Sequence, residues 1–93
     1  MDYDFSDKAI LKLHKRVGEN VKKYRMQKGL SQLELAYAMG NKSVSLISAA
    51  ELTSDNKKFN IEHLYKIALI LDVNICDFFE NTNPCRVGSL TID

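Results

Sequence analysis

No apolar stretch in this sequence is long enough to span a bilayer. Its most hydrophobic run, residues 67–71 with their flanks, falls far short of the ~20 residues a crossing helix needs. The N-terminal residues, opening with Asp2, Tyr3, Asp4 and Phe5, lack the apolar segment of a secretory leader, so a cytoplasmic protein is expected. Cysteine is scarce. Cys76 and Cys85 make no disulfide framework and no C-x-x-C pair, which in a reducing cytosol points to two free thiols. A metal site drawn from Cys76, Cys85, His14 and His63 would lack ligand spacing, so no metal or other cofactor is expected. Also missing are a paired carboxylate set, a Cys/His couple at catalytic spacing, and a glycine-rich phosphate loop after a strand. His14 lies among lysines and His63 at the start of an apolar-periodic segment, both as surface histidines. These absences argue against an enzyme. Repeats and low-complexity segments are lacking too.

What is present suits one small globular domain. At 93 residues the chain buries only roughly 60–65% of its unfolded surface, so its core must be economical. Hydrophobic residues make up 45% and charged residues 27%, an ordinary soluble balance. The net charge of +1 names no partner, but its distribution does. Residues 8–28 carry Lys8, Lys12, Lys15, Arg16, Lys22, Lys23, Arg25 and Lys28 against Glu19 alone. Residues 51–93 hold seven acids against Lys57, Lys58, Lys66 and Arg86. One end is cationic and the other mildly anionic, which suits either a polyanionic partner or a merely solvated helix face.

Turn chemistry divides the chain into five predicted helices. Ser6 caps the first, whose apolar positions Ile10, Leu13, Val17, Val21 and Tyr24 recur at helical spacing. Gly18 interrupts it at a cost of ~1 kcal/mol relative to alanine, so the helix either bends there or begins in earnest near Val17. Gly29 stands where a left-handed closing residue belongs. Ser31 and Glu34 form a capping box that opens helix two, residues 32–39, closed by Gly40. Ser43 caps a third helix over 44–52, and the polar segment 53–59 reads as a loop. Asn60 caps a fourth over 61–71, with Leu64, Ile67, Ala68 and Leu71 on one stripe. Asn74 caps a short fifth over 75–80, turning Phe78 or Phe79 inward. Beyond Pro84 the tail alternates weakly and is either a strand or a frayed end. The expected organisation is an N-terminal extension over 1–16, a domain over 17–80 and a tail over 81–93.

Helices two and three are short and joined by residues 40–42, too few for antiparallel packing, so the pair should cross steeply. Such a crossing needs a small residue, which Ala36 supplies, and a chain reversal, which Gly40 permits through positive φ. It also needs apolar anchors, here Leu33, Met39 and Ile47.

The run Arg25, Gly29, Leu30, Ser31, Gln32, Leu35 and Ala36, followed by Gly40, Ser43, Ile47, Ser48 and Glu51, resembles the lambda-repressor-like regulators. That family includes Cro, the xenobiotic-response-element type and restriction-system controller proteins. The resemblance continues through Ile61, Glu62, Leu64, Lys66, Ile67, Ala68, Leu71, Val73, Asp77, Phe78 and Phe79, and so covers about residues 17–79. It implies an all-α, five-helix DNA-binding domain with a recognition helix in the major groove. In that frame Val44, Ser45, Ser48 and Ala49 face the bases, and Gln32 touches the DNA backbone at a helix N-terminus. Arg25 and Glu51 match a family pair that holds the recognition helix and turns the arginine toward phosphate. Lys57 and Lys58 stand where family members often touch phosphate, and are either such contacts or part of a solvated loop.

The recognition helix is poor in the long polar side chains that read bases directly, so discrimination is expected to rest partly on DNA shape and on Asn41 and Lys42. The register of the turn at 40–43 stays open by one residue. Tyr37 is either a phosphate donor or simply exposed. The resemblance implies a transcriptional regulator binding double-stranded DNA as a homodimer on a palindromic operator. Its dimer surface would be helix five with Phe78 and Phe79, or the tail with Val87, Leu90 and Ile92. A protein co-regulator is compatible with it, and a membrane partner is not expected. The alternative is an antitoxin-like or anti-repressor interaction module on the same scaffold without operator reading.

Overall fold

Ser6 begins the first helix as its side chain predicts, its Oγ accepting the Ala9 N–H at 3.1 Å. In the computed structural model, which describes residues 3–40, 44–54 and 57–82, helix α1 then runs without a break over Asp7–Lys28. Gly29 closes it at φ +81°, its own N–H donating to the Met26 carbonyl at 3.0 Å and that of Leu30 to the Arg25 carbonyl at 3.1 Å. Helix α2 spans Gln32–Ala38. Both halves of its capping box form, with the Glu34 N–H on Ser31 Oγ at 3.0 Å and the Ser31 N–H on Glu34 Oε1 at 2.8 Å. The Ser31 N–H, aided by the Ser31 hydroxyl, holds the Glu34 carboxyl below its ordinary pKa. Gly40, at φ +85°, turns the chain out of α2.

Helix α3 spans Ser45–Leu52 and helix α4 Ile61–Leu71. Asn60 caps α4, its Oδ1 accepting from the His63 N–H at 2.7 Å while His63 Nδ1 accepts the Asn60 N–H at 3.2 Å. A 3₁₀ helix, Ile75–Phe79, follows. Helix α1 packs most extensively on α3 and on this 3₁₀ segment, and α2 packs on α3 and α4. Val17, Val21, Leu35, Ile47, Ile67 and Phe78 are central to the core between them.

Three expectations need correction. The described residues hold four α-helices, because the fifth segment winds as a 3₁₀ helix. The Asn20 side chain, buried on α1, donates through Nδ2 to the carbonyls of Phe78 and Glu80, each at 2.9 Å. Those carbonyls are therefore satisfied across the chain, and the backbone leaves the helix at Glu80. Helix α3 starts one residue late, with Val44 as its N-cap in the helical region; Asn41, Lys42 and Ser43 lie outside the described residues. Finally, Leu33 is 48% exposed and no anchor. Leu35, Ala36 and Met39 form the inward face of α2, and Leu33, two positions before Leu35, falls about 200° around the helix from it.

Gly18 is explained by a crossing. An added Cβ there would stand 2.6 Å from the Glu51 carbonyl oxygen and 2.7 Å from that of Ala50, both backbone atoms of α3. The glycine lets α1 and the end of α3 approach to a distance no side chain tolerates. Gly18→Ala should therefore destabilise the protein by about 1–3 kcal/mol despite alanine's better helix propensity. Thermal unfolding should show the loss as a drop of several degrees in Tm. A rise in Tm would contradict the close approach.

A pH dependence follows from the two histidines. Partial burial lowers the pKa of both below 6.5, aided at His14 by the charge of Lys58. Neutral His63 also accepts the Asn60 N–H, a bond that protonation removes. The unfolded chain thus binds more protons around pH 6, so stability is full above pH ~6.5 and falls as pH drops below it. Urea titrations at pH 7.5 and 5.5 should show this, and His63→Gln, which keeps a capping side chain, should reduce the difference.

Candidate nucleic-acid interface

Helix α3 is short and two-sided. Ile47, Ala50 and Glu51 turn into the protein, while Ser45 is exposed and Val44, Ser48 and Ala49 are partly accessible. The four positions expected to face bases therefore share the outward side of one helix, at its N-terminal end. The Ser48 N–H donates to the Val44 carbonyl at 3.0 Å, closing the first turn beneath them. Their side chains are methyls and hydroxyls.

The opposite side of α3 is fixed by a buried ion pair. Arg25, in the last turn of α1, is 7% exposed, and Glu51, in the last turn of α3, is 2% exposed. Arg25 Nε meets Glu51 Oε2 at 2.7 Å and its Nη2 meets Oε1 at 3.2 Å, a two-pronged contact. The remaining guanidinium nitrogen, Nη1, donates to the Leu30 carbonyl at 2.8 Å. Gln32 completes the group, its Nε2 donating to Glu51 Oε1 at 3.1 Å. Four pieces of chain meet here: the end of α1, the loop after it, the first turn of α2 and the last turn of α3. No buried side-chain nitrogen or oxygen among the described residues is left without a partner.

Of two expected phosphate contacts, this geometry buries Arg25 and leaves Gln32 half-buried. The Arg25 guanidinium faces Glu51 and Leu30, and Gln32 spends its amide nitrogen on Glu51. Both act first as struts for α3. The pairing of Arg25 with Glu51 is the one that the family resemblance implied. Gln32 as a third member was not expected, although its position directly after the Ser31 cap places it beside the Arg25 turn. Asn20 was missed as well, since an Asn within a basic helix reads as solvated.

Lys57 and Lys58 are exposed in the segment that follows α3. The charge of Lys58 reaches His14, so this segment passes beside the N-terminal half of α1. Tyr37 is exposed on α2. Phe78, expected as part of a dimer surface, is wholly buried and its ring meets Tyr24 edge-on at 6.1 Å; Phe79 is half-buried. The tail positions Val87, Leu90 and Ile92 lie outside the described residues. Cys76 is a free, exposed thiol, and Cys85 lies outside the described residues. Among the described residues no three His, Cys, Asp or Glu side chains gather as metal ligands, and no helix is long and apolar enough to cross a membrane.

The buried pair generates a stability prediction. Glu51→Gln leaves the Arg25 guanidinium buried without its counter-charge, which should cost about 3–5 kcal/mol. Gln32→Ala removes one hydrogen bond to a charged group at a half-buried site and should cost only about 1–2 kcal/mol. Urea unfolding curves of the two variants should rank in that order. Equal small losses would mean the pair bears little of the fold.

A family model described as helix-turn-helix matches residues 21–78, well over half of the chain. Among curated proteins no match was found. The matched span runs from the middle of α1 through the 3₁₀ helix and takes in the Arg25, Gln32 and Glu51 group together with α2 and α3. The chain belongs to the lambda-repressor and xenobiotic-response-element type of helix-turn-helix proteins, a family of DNA-binding transcriptional regulators.

Proposed function

We propose that the chain is a sequence-specific regulator that binds double-stranded DNA as a homodimer on a palindromic operator and carries no enzymatic activity. The observation that carries this reading is the outward, N-terminal half of α3, held from behind by the buried Arg25, Glu51 and Gln32 group. A recognition helix must keep its orientation within the major groove, and a strut on its inner face supplies that constraint. In this reading Ser45 and Ser48 make single hydrogen bonds to base edges, Val44 and Ala49 meet thymine methyls, and Asn41 and Lys42 contribute from the turn. These contacts discriminate less than a bidentate arginine, so DNA shape supplies part of the specificity. Lys57 and Lys58 take phosphates.

One such domain reads only a few base pairs, so useful affinity requires two copies about one helical turn apart. With Phe78 buried, the dimer seam is assigned to α4. Its outer side presents Ile61, Tyr65 and Leu69, each more than half exposed and spaced four residues apart in one apolar stripe. Two copies of the stripe meeting across a two-fold axis would cover it. A cytoplasmic location belongs to the same reading.

Selection of bound duplexes from a random pool tests the proposal. A palindromic consensus is expected, with affinity falling steeply as salt rises. Ser48→Arg should shift that consensus toward guanine at one position per half-site. Tyr65→Lys should convert the dimer to a monomer by light scattering and weaken operator binding at least tenfold. Absence of any salt-dependent duplex binding, with a stable protein partner bound instead, would overturn the reading in favour of an interaction module.

A further inference from the structure

Helix α1 begins at Asp7, well before the family-matched span starts at residue 21. The extra turns are not a separate arm, since they continue the helix that Gly18 locks against the end of α3. From Gly18 back to Asp7 the helix projects about 16 Å at 1.5 Å per residue. Its exposed surface there carries Lys8, Lys12 and Lys15, with Lys22 one turn beyond the crossing. Spacings of three, four and seven residues place all four on one side. Glu19 shares that side but is paired with Arg16 at 3.3 Å. Among the described residues none of the four lysines makes an ion pair with a carboxylate. The segment leaving α3 passes close by, because Lys58 is near enough to His14 to affect its protonation. Lys58 approaches α1 at His14, about 100–160° around the helix from Lys8, Lys12 and Lys15, so the lysine stripe is a separate basic face.

We propose that the outer face of this α1 projection is a second DNA-contact surface, which lays Lys8, Lys12 and Lys15 along the phosphates flanking the half-site read by α3. The inference rests on the DNA-binding reading above and adds to it a footprint outside the helix-turn-helix. Each DNA strand carries one negative charge per 3.4 Å of rise, so a projection of about 16 Å spans about five phosphates of one strand. From Lys8 to Lys15 the stripe covers about 10 Å of the helix axis, the length of about three phosphate spacings, and flexible lysine side chains take up the difference in pitch. Flexible lysines contact phosphate as point charges without base preference, so the surface adds affinity and register but no sequence information.

The test uses the full chain and its selected duplex in two lengths, one ending at the edge of the operator and one extended by about ten base pairs on each side. Wild-type protein should bind the extended duplex at least tenfold more tightly at low salt. The variant Lys8→Gln/Lys12→Gln/Lys15→Gln should bind both lengths equally, with the same consensus. The slope of log affinity against log salt on the long duplex should be shallower by about 2–3 per protomer. Lys8→Arg/Lys12→Arg/Lys15→Arg should keep the wild-type slope, which separates charge from any loss of helix. Wild-type binding that ignores duplex length, or a glutamine variant with an unchanged slope, overturns the proposal while leaving operator binding intact. Failure to select any duplex overturns both.

Discussion

The fold and the site depend on one buried ion pair. Arg25 and Glu51 are 26 positions apart and nearly sealed from water, so their charges are tolerable only together and only with their other hydrogen-bonding positions filled. Leu30 and Gln32 fill them. The consequence is mechanical. A helix of eight residues has little stability alone, and its orientation must come from elsewhere. Ile47 and Ala50 supply the apolar contact, and Glu51 supplies the direction, since a two-pronged contact fixes both distance and angle.

Gly18 and the ion pair act on the same junction from two sides. The glycine brings the backbone of α1 against the carbonyls of Ala50 and Glu51, and Arg25, two turns later on α1, takes the Glu51 carboxylate. Position and rotation of α3 are thereby set by α1, while α2 and its capped N-terminus close the third side. The outward residues of α3 can stay small because they have no part in holding the helix. Asn20 does the equivalent task at the other end of the core, holding the 3₁₀ segment to α1 so that Phe78 fills the interior.

Much of this was legible in the sequence because it is local. The Ser6, Ser31 and Asn60 caps, the left-handed Gly29 and Gly40, and the apolar stripe of α4 depend on neighbours within four residues, and each formed where its pattern lies. What was not legible depends on meetings across the chain. Gly18 reads as a helix flaw until α3 is seen to cross it. Asn74, Asp77 and the apolar residues around them suggest an α-helix, and nothing local to them shows that the Asn20 amide of α1 holds the Phe78 and Glu80 carbonyls. Leu33 passed as an anchor because hydrophobicity alone does not say which side of a seven-residue helix faces inward. Gln32 and Arg25 were legible as members of a site, but their partners turn them toward Glu51.

The central claim is that α3 presents its N-terminal outer face to DNA while its inner face stays locked to α1. Amide and methyl NMR shifts followed during titration with a selected duplex test it most directly. The account predicts that Ser45, Ser48 and Ala49 shift strongly while Ile47, Ala50 and the Arg25 side-chain Nε–H signal stay nearly fixed. Shifts confined to α4, or loss of the Arg25 signal as duplex is added, would contradict it.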